Sequence, residues 1–162
     1  RILPPPEGAT ITGRTAGMVL FQTLHARPGF DLEDYIARPD GRLNLAAAMF
    51  FAHEMTHVWQ WQNRAVTGYH PTRAFAEHLR TADPYLFDGD SEIAFLDYGY
   101  EQQASLVEEY VCCRALDPNG ARTARLATLL SAHMDLAGRF RFIDDTDILL
   151  PWDGAETAGI CA

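Results

Sequence analysis

The chain has 162 residues, 48% of them apolar and 22% charged, which suits one domain with its own hydrophobic core. Its 13 basic residues against 22 carboxylates leave a formal charge of −9, which repels phosphate backbones and argues against nucleic acid as a general partner. No apolar run reaches membrane-spanning length; the richest, Leu45 to Ala52, is short and ends in His-Glu.

In chain order, "RILPPPEGA" at 1–9 is too proline-rich for helix or central strand and reads as an extended lead-in. "GMVLFQTLHA" fits either a strand or a helix, because its Val-Leu-Phe centre does not decide the period. "PDGR" at 39–42 is a turn. Asn44 caps a helix expected from about Leu45 to Val66, closed by Thr67-Gly68. A second helix is expected from Pro71 to near Thr81, before Asp83-Pro84. Residues 83–99 read as loop, with breaks at Gly89 and Gly99. The helical pattern resumes from Tyr100 to Leu116 and stops at "DPNG", and a fourth helix is expected from Ala121 to Gly138. "RFRFI" at 139–143 suggests a short strand, and the tail, 148–162, reads as irregular. The fold class is therefore mainly α, of α+β type, with a small edge sheet and a single domain over 1–162.

Cysteine is sparse. Cys112 and Cys113 are adjacent, a strained geometry for bridging each other, and Cys161 makes the number odd. A disulfide framework is not expected, and the adjacent pair reads as two small apolar residues in a helix.

The stretch "FFAHEMTHVWQ" holds His-Glu-x-x-His in the middle of the first expected helix. Residues four apart project from one helix face, so His53 and His57 can close on one metal ion. Glu54 lies beside that face, where it can take a proton from a metal-bound water rather than bind the metal. Zinc suits this arrangement, since it lowers the pKa of its water toward neutrality for attack on an amide carbonyl. At the chain's own His and Glu frequencies the pattern arises by chance in roughly one per cent of such sequences.

Two histidines leave zinc short of a third protein ligand. The extended motif with a third histidine fails, because Gln60 and Asn63 stand where glycine and histidine are needed. His70 and His78 lie past the helix break and read as surface histidines. In "YEQQASLVEEYVCCRAL", Glu101 and Glu108 share one face with Ala104 between them, and either can reach the motif; Glu109 is rotated away and reads as solvated. A di-iron bundle would need a second Glu-x-x-His besides Glu54 to His57, and none exists.

"FFAHEMTHVWQ" and "FLDYGYEQQASLVEEY" resemble the bacterial Vgr-related family and the wider group of His-Glu-x-x-His domains of unknown function found near contractile injection and type VI secretion systems. His53 to Gln60 matches that group's His-Glu-hydrophobic-Thr-His-Val-x-Gln signature, and Glu101 to Ala104 its later segment. The Glu-x-x-Ala step is also similar to the third-ligand helix of gluzincin-type zinc peptidases. That resemblance covers roughly residues 45–115. It implies a zincin-like fold, with an active-site helix and a ligand helix, in which Glu101 is the third metal ligand. It also implies a possible secretion-system partner.

Peptidases of this kind need a donor for the developing oxyanion. Tyr98, Tyr100, Tyr110 and His133 are the candidates, and Tyr100, beside Glu101, is the first choice. Trp59 and Trp61 fall on different helix faces and read as packing residues, while Gln60, one turn past His57, is placed to support a ligand. "DGDSE" at 88–92 and "DDTD" at 144–147 lack calcium-loop spacing and read as acidic turns.

The expected function is a zinc-dependent metallopeptidase-like hydrolase. His53, His57 and Glu101 bind Zn2+, Glu54 is the general base, and the substrate is a protein or peptide. The alternative is a non-catalytic, zinc-stabilised accessory domain of a secretion or injection system. The basic residues are all arginine, which suggests a GC-rich bacterial coding sequence. The chain starts with arginine, so an upstream segment is expected to have been removed or not included. The location reads as cytoplasmic, or exported by a route without a visible signal peptide.

Overall fold

The most extensive packing between elements joins two antiparallel helices, α1 (Leu45–Gln62) and α4 (Tyr100–Leu116). In the computed structural model, which describes residues 2–3, 17–88, 91–136, 147–150, 154 and 156–162, the other elements are arranged around this pair. The N-terminal half of α1 meets the C-terminal half of α4 through apolar side chains. Leu43, Leu45, Ala48 and Ile148 are buried there, with Val111, Cys112 and Ala115 against them. The other halves meet through polar ones, which build the site described below.

The α4 helix has two working faces. Glu101, Ala104 and Glu108 turn toward α1, and Ala104 is fully buried, which lets the helices approach closely. Leu106, Tyr110 and Cys113 turn the other way, into a cluster with Leu126 and Leu130 of α5 (Ala121–Ser131), Phe95 and Tyr98. Trp59 packs against that cluster, its ring 6.0 Å from Phe95.

"GMVLFQTLHA" is a β-hairpin. β2 (Gly17–Leu20) pairs antiparallel with β3 (Thr23–Ala26) across a two-residue loop, and β1 (Ile2–Leu3) joins β3 in parallel. Phe21 takes the left-handed backbone that such a loop demands, with φ +60°. The hairpin lies tight against α1: a Cβ on Gly17 would fall 2.8 Å from the Phe50 ring. A second, two-stranded sheet pairs β4 (Leu43–Asn44) in parallel with β5 (Ile148–Leu149).

Asn44 caps α1 by accepting from the Ala47 N–H at 3.3 Å. The helix stops at Gln62, sooner than predicted, at Asn63, whose backbone N–H and side-chain amide both donate to the Trp59 carbonyl. One further turn, α2 (Arg64–Thr67), ends at Gly68 with φ +65°, the left-handed stop that glycine supplies. His70 then caps α3 (Pro71–Arg80), with proline at its first position. The predicted span of α4 agrees with the observed one, while α5 ends at Ser131, short of Gly138. The expected strand at 139–143, Gly138 itself and parts of the acidic turns "DGDSE" and "DDTD" lie outside the described residues. The result is a mixed α+β arrangement, about half helical with two small sheets, and among the described residues no helix is long and apolar enough to cross a membrane.

The tail departs from its expectation twice. Ile148–Leu149 form a strand, and Cys161 forms a disulfide with Cys113 across 48 residues, with both cysteines buried. Counting by adjacency set Cys113 beside Cys112; the fold instead brings the tail over α4 to a Cα–Cα distance of 5.6 Å, leaving Cys112 free. Gly120 makes room for this: a Cβ there would meet the Cys161 carbonyl at 2.2 Å. Closing a loop of that length constrains the unfolded chain, so Cys161→Ser should lower unfolding stability by about 2–4 kcal/mol in urea titration under non-reducing conditions. An unchanged midpoint would mean that the bridge contributes nothing.

Candidate metal centre

His53, Thr56, His57 and Gln60 recur at helical spacing on the face of α1 that meets α4, and all are buried. A polar stripe in that position needs partners, since an unpaired buried polar group costs about 1–3 kcal/mol. His53, His57 and Gln60 meet partners on α4, and Thr56 donates to the Ala52 carbonyl one turn back.

His57 has its tautomer set from a distance. Gln60 Nε2 donates to the Tyr100 carbonyl and to Gln103 Oε1, both at 3.0 Å. Gln103 in turn donates to the Tyr98 carbonyl at 2.8 Å. A backbone carbonyl can only accept, so the Gln60 amide oxygen must face His57, 2.8 Å from Nδ1. Nδ1 then carries the proton and Nε2 presents its lone pair. His53 is oriented in the same way by a carboxylate: its Nδ1 lies 3.1 Å from Glu108 Oε2. Both Nε2 atoms converge on Glu101 Oε2, at 3.2 and 3.3 Å.

His53, His57 and Glu101 therefore form a buried group close enough to hold a metal ion, their ligand atoms lying within 4.8 Å of one another. Two imidazole nitrogens and a carboxylate oxygen, with each imidazole's second nitrogen engaged, make up the donor set and outer support of a catalytic-type zinc site. The residues present fit the group. Burial alone would lower the His53 pKa, but its hydrogen bonds to Glu101 and Glu108 outweigh that and push it up to about 9. Burial acts to raise the Glu101 pKa, yet the two histidines hold the carboxyl well below the usual range.

Glu54 differs from its neighbours. It is buried, and its Oε2 has no hydrogen-bond partner among the described residues. Burial raises its pKa. The other buried carboxylate oxygen without a partner among the described residues is Oε2 of Glu109, on α4.

The mouth of the site departs from the sequence reading. His78 is exposed, as expected, but it also reaches the site: it sits on α3 with Nε2 3.1 Å from Glu101 Oε1, holding the carboxylate's other oxygen. Tyr85 lies between the two, its ring 5.7 Å from His53 and 5.5 Å from His78. Burial, then the Glu101 and Glu54 charges, push the Tyr85 hydroxyl up to about 12, so it stays protonated. Tyr69 stacks on His57 at 5.8 Å. Tyr100, the first choice for the oxyanion donor, sends its hydroxyl to the Thr67 carbonyl at 3.4 Å; helix geometry puts its side chain on a face turned from His53. Tyr98 and Tyr110 are core residues, and His133 lies against Phe95. Glu109, expected in solvent, pairs with Arg122 of α5. No local pattern distinguishes His78 or Tyr85, because their roles depend on how α3 and the following loop fold back over α4.

Glu77 is the third residue that sequence reasoning missed. Its two oxygens accept from the Tyr100 and Glu101 backbone N–H groups at 2.9 and 3.1 Å, capping α4 from another helix and fixing the turn that carries Glu101. Glu77→Ala should cost about 1–2 kcal/mol of unfolding stability, measured by denaturant titration, since it strands two helix N–H groups. A neutral result would show that solvent replaces the cap.

No protein-family model matches this chain, and neither a curated protein nor a solved structure matches it significantly.

Proposed function

We propose that the chain is a metal-dependent hydrolase of zincin-like, gluzincin type that cleaves peptide bonds, with zinc as the metal. The observation that carries this reading is the Glu54 Oε2 atom, buried and without a hydrogen-bond partner among the described residues, in the helix turn of the His53, His57 and Glu101 group. In this reading His53, His57 and Glu101 hold the ion, and Glu108 and Gln60 keep the two imidazoles in their ligating tautomers. Bound zinc supplies Lewis acidity, which polarises a carbonyl and eases ionisation of a water. Glu54 accepts the proton that the attacking water loses and returns it to the leaving amine. Tyr85, whose ring lies between His53 and His78 and whose hydroxyl stays protonated, is the side chain we assign to donate to the charge that develops on the substrate's carbonyl oxygen, the role first given to Tyr100, while the His78 proton is engaged by Glu101. The resemblance to Vgr-related domains makes a secretion- or injection-system component the protein partner to test.

A non-catalytic zinc-stabilised domain would share the three ligands and differ at Glu54. A structural site has no use for a buried carboxylate that binds neither metal nor protein, and it closes its coordination with a fourth protein ligand. Among the described residues the group offers three.

Elemental mass spectrometry after zinc is supplied should find near-stoichiometric metal, lost in Glu101→Ala. Glu108→Ala should retain it with affinity lowered about 10–100-fold in chelator competition. Absence of zinc from the wild-type chain would sink the metal reading. Glu54→Gln should keep the metal while peptide hydrolysis falls by about 10²–10⁴-fold. If the wild type cleaves none of a broad peptide library although zinc is bound, the structural alternative holds.

A further inference from the structure

A second constellation lies on the other side of Tyr69. The corner where α1 gives way to α2 and α3 forms an open cavity of about 510 Å³, lined by Trp61, Arg64, Tyr69, His70, Thr72 and Arg73. Gly68 completes it, its left-handed φ of +65° turning the chain between α2 and α3.

The cavity collects donors and no carboxylate. One Arg64 nitrogen donates to the Trp61 carbonyl at 3.1 Å, and the guanidinium lies 4.6 Å over the Trp61 ring. One Arg73 nitrogen donates to the Gly68 carbonyl at 2.9 Å. These bonds hold each head in place but leave its charge uncompensated and further N–H donors available. Neither arginine pairs with a carboxylate among the described residues, in a chain with 22 of them, whereas Arg42 and Arg122 are paired with Asp40 and Glu109. His70 contributes too. Its Nδ1 accepts from the Thr72 backbone N–H, so in the neutral ring Nε2 is the donor. The positive end of the ten-residue helix α3 faces the same corner. Trp61, with Phe21 at 4.7 Å and His70 at 6.0 Å, supplies an aromatic wall.

We infer that this cavity binds a carboxylate borne by a peptide, either an acidic side chain or the chain terminus, as a specificity subsite beside the metal centre. Tyr69 connects the two, since its ring lines the cavity and stacks on His57. The planar forks of two arginines match a carboxylate, and the chain's net charge of −9 works against extended polyanions. That the ligand is a peptide rests on the hydrolase reading; the preference for a carboxylate does not, and binding alone measures it.

The test is calorimetric titration of the full chain at low ionic strength, with zinc supplied and again with a chelator. The ligands are a doubly blocked penta-alanine, the same peptide with its central residue replaced by glutamate, an acetylated penta-alanine with a free terminus, and inorganic phosphate. At least one carboxylate peptide should bind about tenfold more tightly than the neutral one. Which of the two does so identifies side chain or terminus. The preference should disappear in Arg64→Gln and in Arg73→Gln and persist in Arg80→Gln, an exposed arginine at the far end of α3. Arg64 and Arg73 are both exposed, and unchanged thermal midpoints would exclude misfolding. Equal binding of the neutral peptide, a preference that survives both substitutions, or tighter binding of inorganic phosphate would each overturn the inference. A carboxylate preference without bound zinc upholds this site and removes the metal centre. Bound zinc without the preference does the reverse.

Discussion

The structure depends on a buried polar seam between α1 and α4. Five groups of chemical interest, His53, His57, Gln60, Glu101 and Gln103, sit within it almost without exposure, where each unsatisfied donor or acceptor is destabilising. Their hydrogen bonds form a directed network that ends on the carbonyls of Tyr98 and Tyr100, groups that can only accept. The direction of every bond upstream follows, down to which nitrogen of His57 carries its proton. Orientation of the His57 lone pair is thus a property of the backbone at the start of α4, while that of His53 follows from the Glu108 carboxylate.

Such a seam is costly to desolvate, and it is bordered by features that oppose its opening. Apolar clusters lie on both sides, one around Leu45 and Ile148 and the other around Phe95, Leu106 and Leu130. The disulfide to Cys161 anchors the second cluster to the tail. Glu77 fixes the first turn of α4 from α3, and His78, the next residue, holds Glu101 from the same helix. One short helix therefore positions α4, steadies the Glu101 carboxylate and, at its other end, helps form the arginine-lined cavity. Tyr69 lies between these two regions, touching His57 on one side.

With no matching family or solved structure, function has to be argued from the site rather than from kinship. Almost every polar atom in the seam has a protein partner; the Glu54 Oε2 atom has none. A site serving stability alone gains nothing from that exception. The proposal of a general base rests on it.

The primary structure by itself determined the local features. The span of α4, the cap at Asn44, the start of α3 at Pro71, the glycine stop at 68 and the pairing of His53 with His57 all follow from spacing and capping chemistry within one stretch of chain. The third ligand was narrowed to Glu101 or Glu108 because both lie on one face, and both do reach His53, one at Nε2 and the other at Nδ1. Only the tertiary structure could assign which nitrogen each meets, since that depends on the axial offset of α1 against α4. It alone brought His78, Glu77 and Tyr85 to the site, made a hairpin of an ambiguous apolar run, and joined Cys113 to a cysteine 48 residues away. Periodicity reports how a helix presents its own faces; it carries no information on which distant segment will be packed against them, and the chemistry of this site is made at those contacts.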